Sequence, residues 1–159
     1  MKIDIICVGR IKEGFYRDAV AEYVKRLSRY ASVSVIEVAD EPTPEGASAA
    51  TEELIKKKEG ERILDKFAPG ARKIALAIDG KSYSSESLAA HIEKLGIDGC
   101  SHLQFVIGGS LGLDTRVLSA ADEKISFSAM TFPHQLMRVI LAEQIYRSYR
   151  IINHEPYHK

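Results

Sequence analysis

Short apolar runs alternate with longer helical segments along the whole chain. The apolar, β-rich runs predict strands at 3–8, 33–38, 73–78, 103–107 and 124–128. Between them, helices are predicted at 15–30, 49–67, 84–95, 117–121 and 133–152. Such alternation is typical of a parallel sheet covered by helices on both faces. We therefore expect one α/β domain over 1–159, with a five- to six-stranded, mainly parallel sheet flanked by helices.

Two loops follow neighbouring predicted strands and predict a ligand site. The run 103–107 ends at Gly108-Gly109, with Gly112 close behind, and the strand 124–128 leads into a small-residue loop before Pro133. Glycines permit a sharp turn and leave space for a ligand against the backbone, although a plain tight turn explains them equally well. Ligands of open α/β sheets bind beyond the carboxyl ends of strands.

The glycine spacing differs from the common nucleotide-binding motifs. It reads Gly-Gly-x-x-Gly after a late strand, without the acidic partner expected of a dinucleotide fingerprint. The Gly-Lys-Ser/Thr of a phosphate-binding loop is also missing. The loop therefore predicts a ligand site of another kind.

The last predicted helix, 133–152, is apolar on nearly every side. Such a helix is buried on more than one side, either as a central core helix or in a subunit interface. In so short a chain we favour the interface, and therefore a homodimer. Arg138, Arg147 and Arg150 interrupt the apolar positions and favour contact with an anion.

Composition narrows the partners. The formal net charge is +0, so an RNA contact has to use local patches rather than a global basic field, and DNA is not expected. Cys7 and Cys100 have neither disulfide nor metal spacing, so free thiols and no metal are expected. Neither a membrane-length apolar run nor a signal-peptide pattern is present, and we expect a cytoplasmic protein.

Several segments resemble one known family. They are IICVGRIKEGFYRDAVAEYVKRL at the start, VIGGSLGL in the glycine loop, SFSAMTFPHQLMRVILAEQIYRSYRI after it, and the terminal EPYHK. Together they span essentially the whole chain and resemble the SPOUT-class methyltransferases that modify N3 of a pseudouridine in large-subunit ribosomal RNA. The resemblance implies a SPOUT fold with a C-terminal trefoil knot, an exception to the rule against threaded chains. It also implies a homodimer that methylates helix 69 of 23S rRNA in the assembled ribosome.

The same resemblance implies S-adenosylmethionine as cofactor and names its site. The implied cofactor residues are Leu76, Gly108, Phe127, Ser128, Ala129, Met130, Thr131 and Phe132. Small-residue loops with apolar walls and a few backbone polar groups suit an adenine. From the residues alone, Leu76 is more simply a core side chain.

The candidate catalytic residues lie near the C-terminus: His134, Arg138, Tyr157 and His158. We hypothesise that Tyr157 and His158 reach the target base, that one of them assists proton removal, and that Arg138 holds phosphate or the base carbonyl. The family's composite site would have this tail serve the partner subunit. From the residues alone, a frayed polar terminus is the commoner fate.

Other features predict less. Lys56, Lys57 and Lys58 are flanked by glutamates, so a solvated helix face is favoured over an RNA contact. His91 and His102 have no ligand-spaced partner and are interpreted as structural. The strand and helix pattern also fits a nucleotide- or flavin-binding oxidoreductase, and a non-enzymatic ribosome-associated factor is a third class.

Overall fold

The computed structural model describes all 159 residues. Strands and helices alternate along the chain, as predicted, except that the chain goes from β4 through a short helix to β5. The elements are β1 (Lys2–Val8), α1 (Gly14–Leu27), β2 (Ser32–Val38), α2 (Ala49–Leu64), β3 (Arg72–Ser82), α3 (Ser85–Ile97), β4 (His102–Ile107), α4 (Thr115–Ala120), β5 (Glu123–Ser126) and α5 (His134–Ile152).

All five strands join one parallel sheet in the order β2-β1-β4-β3-β5. Ile5 of the central β1 lies opposite Val35 of β2 and Phe105 of β4. β1 and β4 are buried over nearly their whole length, which explains their continuous apolar sequences. The predicted parallel α/β fold is confirmed, with five strands and no sixth.

β3 differs from the prediction in a way that shapes the site. Asp79-Gly80 was expected to turn the chain out of the sheet, but the strand continues to Ser82. Leu76 and Lys81 both pair with Ile125, so residues 77–80 form an excursion from the ladder between them. A Cβ on Gly80 would lie 2.6 Å from the Ile125 carbonyl carbon, so glycine allows the strand to return to β5. The turn signal therefore marks an irregularity inside a strand rather than its end.

Helices cover both faces of the sheet. On one face α5 packs between α1 and α3, over a core that includes Ile3, Phe105 and Ile145. On the other face α2 and α4 pack against a smaller cluster that includes Val106 and Val117. The start of α3 has a reciprocal capping box, in which the Ser84 and Ser87 side chains each accept the other's backbone N–H.

Both interpretations of the apolar last helix describe part of α5. Its inner side is a core helix, with Leu141, Ala142 and Ile145 fully buried. A second stripe, Leu136, Val139 and Ile140, stays only half-buried. The homodimer and the trefoil knot stay predictions. No helix combines the length and apolarity needed to span a bilayer.

Candidate functional site

A cleft of about 180 Å³ opens at the carboxyl edge of the sheet. Three segments form it: the excursion of β3, the glycine loop after β4, and the loop after β5. Its walls are mostly apolar and are completed by the start of α5. The lining residues are Leu76, Ala77, Ile78, Ile107, Gly108, Gly109, Gly112, Leu113, Phe127, Ser128, Met130, Thr131, Phe132, His134 and Met137.

The glycine loop is a tight turn and also a wall of the cleft. The Gly112 backbone N–H donates to the Gly109 carbonyl at 3.0 Å, and Gly112 has φ +87°. A Cβ on Gly108 would lie only 2.7 Å from the Gly112 carbonyl carbon. The two interpretations of these glycines are therefore compatible, because the turn holds the backbone open beside the cleft.

The loop after β5 presents unpaired backbone donors. β5 ends at Ser126, so Phe127 and Ser128 belong to this loop rather than to the strand. The Ser128 hydroxyl accepts from the Met130 N–H at 2.9 Å and fixes the turn. The N–H groups of Thr131 and Phe132 donate to no other group of the chain. A ligand in the cleft can use such donors for orientation.

Most of the predicted cofactor residues meet in the cleft. Leu76, Gly108 and four members of the loop after β5 line it together with Ser128, whereas Ala129 is exposed and does not. Sequence reasoning missed Ala77 and Ile78, because Asp79-Gly80 was interpreted as the end of the strand. Ile78 is 59% exposed although it is apolar, which fits a side chain left open for a ligand.

His134 begins α5 and lies on the cleft wall. Burial lowers the pKa of its imidazole, and the positive charge of Arg138 lowers it further. The side chain is therefore neutral at physiological pH and can accept a proton. Among the four predicted catalytic residues, His134 alone lines the cleft of its own chain.

Arg138 does not have the predicted role. Its side chain is 0% exposed, and Nη2 donates to the carbonyl oxygens of Val8 at 2.7 Å and Gly9 at 2.9 Å. Nη1 donates to a Glu37 carboxylate oxygen at 2.8 Å. The prediction that Arg138 contacts RNA is wrong, because these acceptors within the chain hold a guanidinium that no solvent reaches. Arg138 instead ties α5 to the carboxyl ends of β1 and β2.

The C-terminal tail is folded against the body rather than frayed. Tyr157 donates to a Glu143 carboxylate oxygen at 3.2 Å and packs edge-on against Tyr146, with ring centroids 4.9 Å apart. The Arg147 guanidinium lies 4.7 Å from the centre of the Tyr157 ring. Burial and the Glu143 charge raise the pKa of Tyr157 to about 12. Tyr157 therefore remains a protonated donor and is a poor base.

His158 joins two helices through its ring. Its Nδ1 lies 3.0 Å from Arg147 Nη1, and its Nε2 lies 2.7 Å from a Glu86 carboxylate oxygen at the start of α3. Arg147 and Arg150, predicted to meet an anion, pair within the chain with Glu143 and Glu155. Neither Tyr157 nor His158 lines the cleft of its own chain.

The remaining histidines have partners inside the fold. His91 Nε2 lies 2.6 Å from Glu123, and His102 Nε2 lies 2.6 Å from the buried Asp4. These contacts connect α3 to β5 and β4 to β1. They match the structural role predicted for both residues.

Known proteins similar to this chain agree on its class. The model of a family described as predicted SPOUT methyltransferase matches residues 1–158. A protein of Bifidobacterium animalis subsp. lactis (strain AD011) is 64% identical over 159 residues, covering 100% of both chains. Relatives in Bifidobacterium adolescentis and Bacillus pumilus are 60% and 56% identical over the same full length. All three are named ribosomal RNA large subunit methyltransferase H.

A solved structure supports the fold independently. It is a probable methylase family protein from Haemophilus influenzae Rd KW20, with a TM-score of 0.55 over 99% of this chain and 70% of that one, at 10% identity. These matches confirm the resemblance seen in the sequence. They favour a methyltransferase over the oxidoreductase and the non-enzymatic factor. The chain belongs to the SPOUT methyltransferase family.

Proposed function

We propose that this protein transfers the methyl group of S-adenosylmethionine to N3 of a pseudouridine in helix 69 of 23S rRNA, in the assembled ribosome. The observation that carries the proposal is the apolar cleft between the glycine loop and the loop after β5. It occurs in a chain 64% identical, over its full length, to a protein named ribosomal RNA large subunit methyltransferase H.

The residues of the cleft fit S-adenosylmethionine. Leu76, Leu113 and Phe127 supply apolar walls for an adenine. The N–H groups of Thr131 and Phe132 have no acceptor in the chain and suit the polar edges of the same ligand. No acidic side chain lines the cleft, so a cationic sulfonium would meet backbone carbonyls and apolar surface rather than a fixed charge.

When bound, S-adenosylmethionine supplies an electrophilic methyl carbon. The protein then has to align the target base with that carbon and remove the proton from N3. His134 suits the second task, since it lines the cleft and its lowered pKa leaves the imidazole neutral. The N3 proton passes to the imidazole, and the nitrogen lone pair forms the new bond to carbon. No covalent bond to the protein is required.

Recognition of an assembled ribosome follows from what the chain offers. With a net charge of +0 and no separate RNA-binding segment, affinity has to come from shape and a few local cations. A target whose surface exists only after assembly provides that shape. Because ribosomes occupy the cytoplasm, the proposal also places the protein there.

The half-buried stripe of α5 supports a homodimer. Leu136, Val139 and Ile140 present apolar surface that a second copy would cover. We propose that, in the dimer, Tyr157 and His158 of one subunit reach the base held at the cleft of the other. The tail is ordered by Arg147 and Glu143, so its position is fixed before the substrate binds.

The experiment for the proposed function is transfer of labelled methyl from S-adenosylmethionine to three substrates. These are intact ribosomes, isolated large subunits, and ribosomes whose target uridine was never isomerised. We expect label in the intact, isomerised ribosomes only. Equal labelling of naked RNA fragments would contradict recognition of assembled shape, and no labelling of any substrate would contradict the methyltransferase.

A mixed dimer tests the tail. One subunit carries Gly108→Ala, which blocks the glycine loop, and the other lacks residues 157–159. Each homodimer should be inactive, and the mixture should recover activity because one intact cleft meets one intact tail. Full activity of the truncated homodimer would refute a role for the tail.

A further inference from the structure

Two arginines differ from all the others in the chain. Every arginine except Arg10 and Arg17 forms an ion pair with a carboxylate. Both exceptions are exposed, and they lie close together, in the loop after β1 and at the start of α1. Both border the same shallow groove beside α1. Two unpaired guanidinium groups side by side are free to bind an anion from outside the chain.

This segment is connected to the wall of the cofactor cleft. The Lys12 backbone N–H donates to the Gln135 side-chain oxygen at 3.3 Å, and Arg17 Nη2 lies 3.5 Å from the Lys12 carbonyl oxygen. Arg10, Lys12 and His134 line one hollow of about 560 Å³, and His134 also lines the cleft. A nucleotide at the cleft would therefore have its neighbours beside these cations.

Exposed aromatic rings accompany the cations. Phe15 is 66% exposed, and its ring centroid lies 4.5 Å from that of Tyr16. No other aromatic side chain of this protein is as open to solvent. Aromatic faces next to arginines form a platform on which an unpaired base can stack.

We propose that the basic–aromatic strip, formed by Arg10, Lys12, Phe15, Tyr16 and Arg17, binds the single-stranded RNA that flanks the nucleotide being methylated. Arg10 and Arg17 hold backbone phosphates, and Phe15 stacks on an adjacent base. The inference rests on the proposed function, since it takes the substrate to be RNA.

The charges around the strip are compatible with this partner. Glu37 lines the same hollow, but its carboxylate is bound by the buried Arg138. Asp40 is the remaining acid there, against the two cations Arg10 and Lys12. The hollow therefore keeps an excess of positive charge, which favours phosphate over an acidic or neutral peptide of random sequence.

The test uses the double variant Arg10→Ala/Arg17→Ala and the single variant Phe15→Ala in the full-length protein. The matched control is Lys57→Ala/Lys58→Ala, which removes two exposed cations of α2 that also lack an ion pair. Ribosome binding is measured by co-sedimentation at several salt concentrations. S-adenosylmethionine binding is measured by calorimetry, and methyl transfer is measured on the same samples.

We expect the arginine variant to bind ribosomes about tenfold more weakly or worse, with a salt slope reduced by about 1.5 to 2 for two lost phosphate contacts. Phe15→Ala should weaken ribosome binding about five- to a hundredfold, as expected for a lost stacking platform, without changing the salt slope. The α2 control should behave as the wild type, and all variants should bind S-adenosylmethionine normally.

The outcomes separate the two proposals. If the wild type methylates ribosomes and the arginine variant binds and reacts equally well, the strip is refuted and the proposed function stands. If the arginine variant binds more weakly but keeps the wild-type salt slope, its partner is a protein surface and the RNA strip is refuted. If the wild type transfers no methyl, the proposed function fails, and the ribosome-binding arm alone decides on the strip.

Discussion

Replacing Arg138 with Met tests whether this residue holds the fold together or contacts RNA. Met keeps most of the side-chain volume and removes the guanidinium. In the structure that group donates to the carbonyl oxygens of Val8 and Gly9 and to the Glu37 carboxylate. The substitution therefore leaves two buried carbonyl groups without their donor and one carboxylate without its partner.

The expected cost follows from burial. Arg138 is 0% exposed, whereas the Glu37 side chain is 39% exposed and regains water when its partner is removed. Removing one member of a buried charged network costs about 3–5 kcal/mol, and the rehydration of Glu37 places this case toward the lower end. For a protein of this size each kcal/mol lowers Tm by about 2–4 °C, so a fall of about 6–20 °C is expected.

Chemical and thermal denaturation of Arg138→Met measure the effect. The control is Arg116→Met, the same change at a side chain that is 43% exposed and pairs with Asp114 and Glu61. It should cost no more than about 1 kcal/mol. If Arg138→Met were as stable as the control but bound ribosomes poorly, the structural role would be refuted and direct RNA contact restored.

Three further predictions concern the site. His134→Asn should lower the rate of methyl transfer by about 10²–10⁴-fold. The wild-type rate should fall only below the ordinary pKa of 6.5, because the pKa of His134 is lowered, and the variant should lack this acid limb in a pH–rate profile. Gly108→Ala should abolish S-adenosylmethionine binding in calorimetry, since its Cβ would lie 2.7 Å from backbone, whereas Gly14→Ala, which meets nothing within 4 Å, should bind normally. Tyr157→Phe should keep most activity if the ring positions the base, and a loss as large as that of deleting 157–159 would show that the hydroxyl is essential.

Local sequence patterns predicted the fold class because parallel strands are buried on both faces. β1 and β4 are therefore continuous apolar runs, and the helices between strands show their own periodicity. The excursion in β3 could not be predicted in this way. Asp79-Gly80 carries an ordinary turn signal, and only the Ile125 backbone, supplied by a distant strand, returns the chain to the sheet.

The candidate site was predicted where it depends on backbone and missed where it depends on distant partners. The glycine loop was visible because few residues besides glycine tolerate φ +87° at Gly112. The role of Arg138 was not visible, since its acceptors at Val8 and Gly9 lie near the other end of the chain. An arginine within an apolar helix suggests an external anion until the carbonyl groups it binds are known.

The most direct test of the account is the mass of helix 69 fragments from ribosomes incubated with S-adenosylmethionine and the wild-type protein, or with Gly108→Ala. The account predicts that the wild type adds the mass of one methyl group to a pseudouridine and that fragmentation places it at N3. The Gly108→Ala protein should add none. A methyl group on another nucleotide, or equal methylation by the variant, would contradict the substrate or the cleft, respectively.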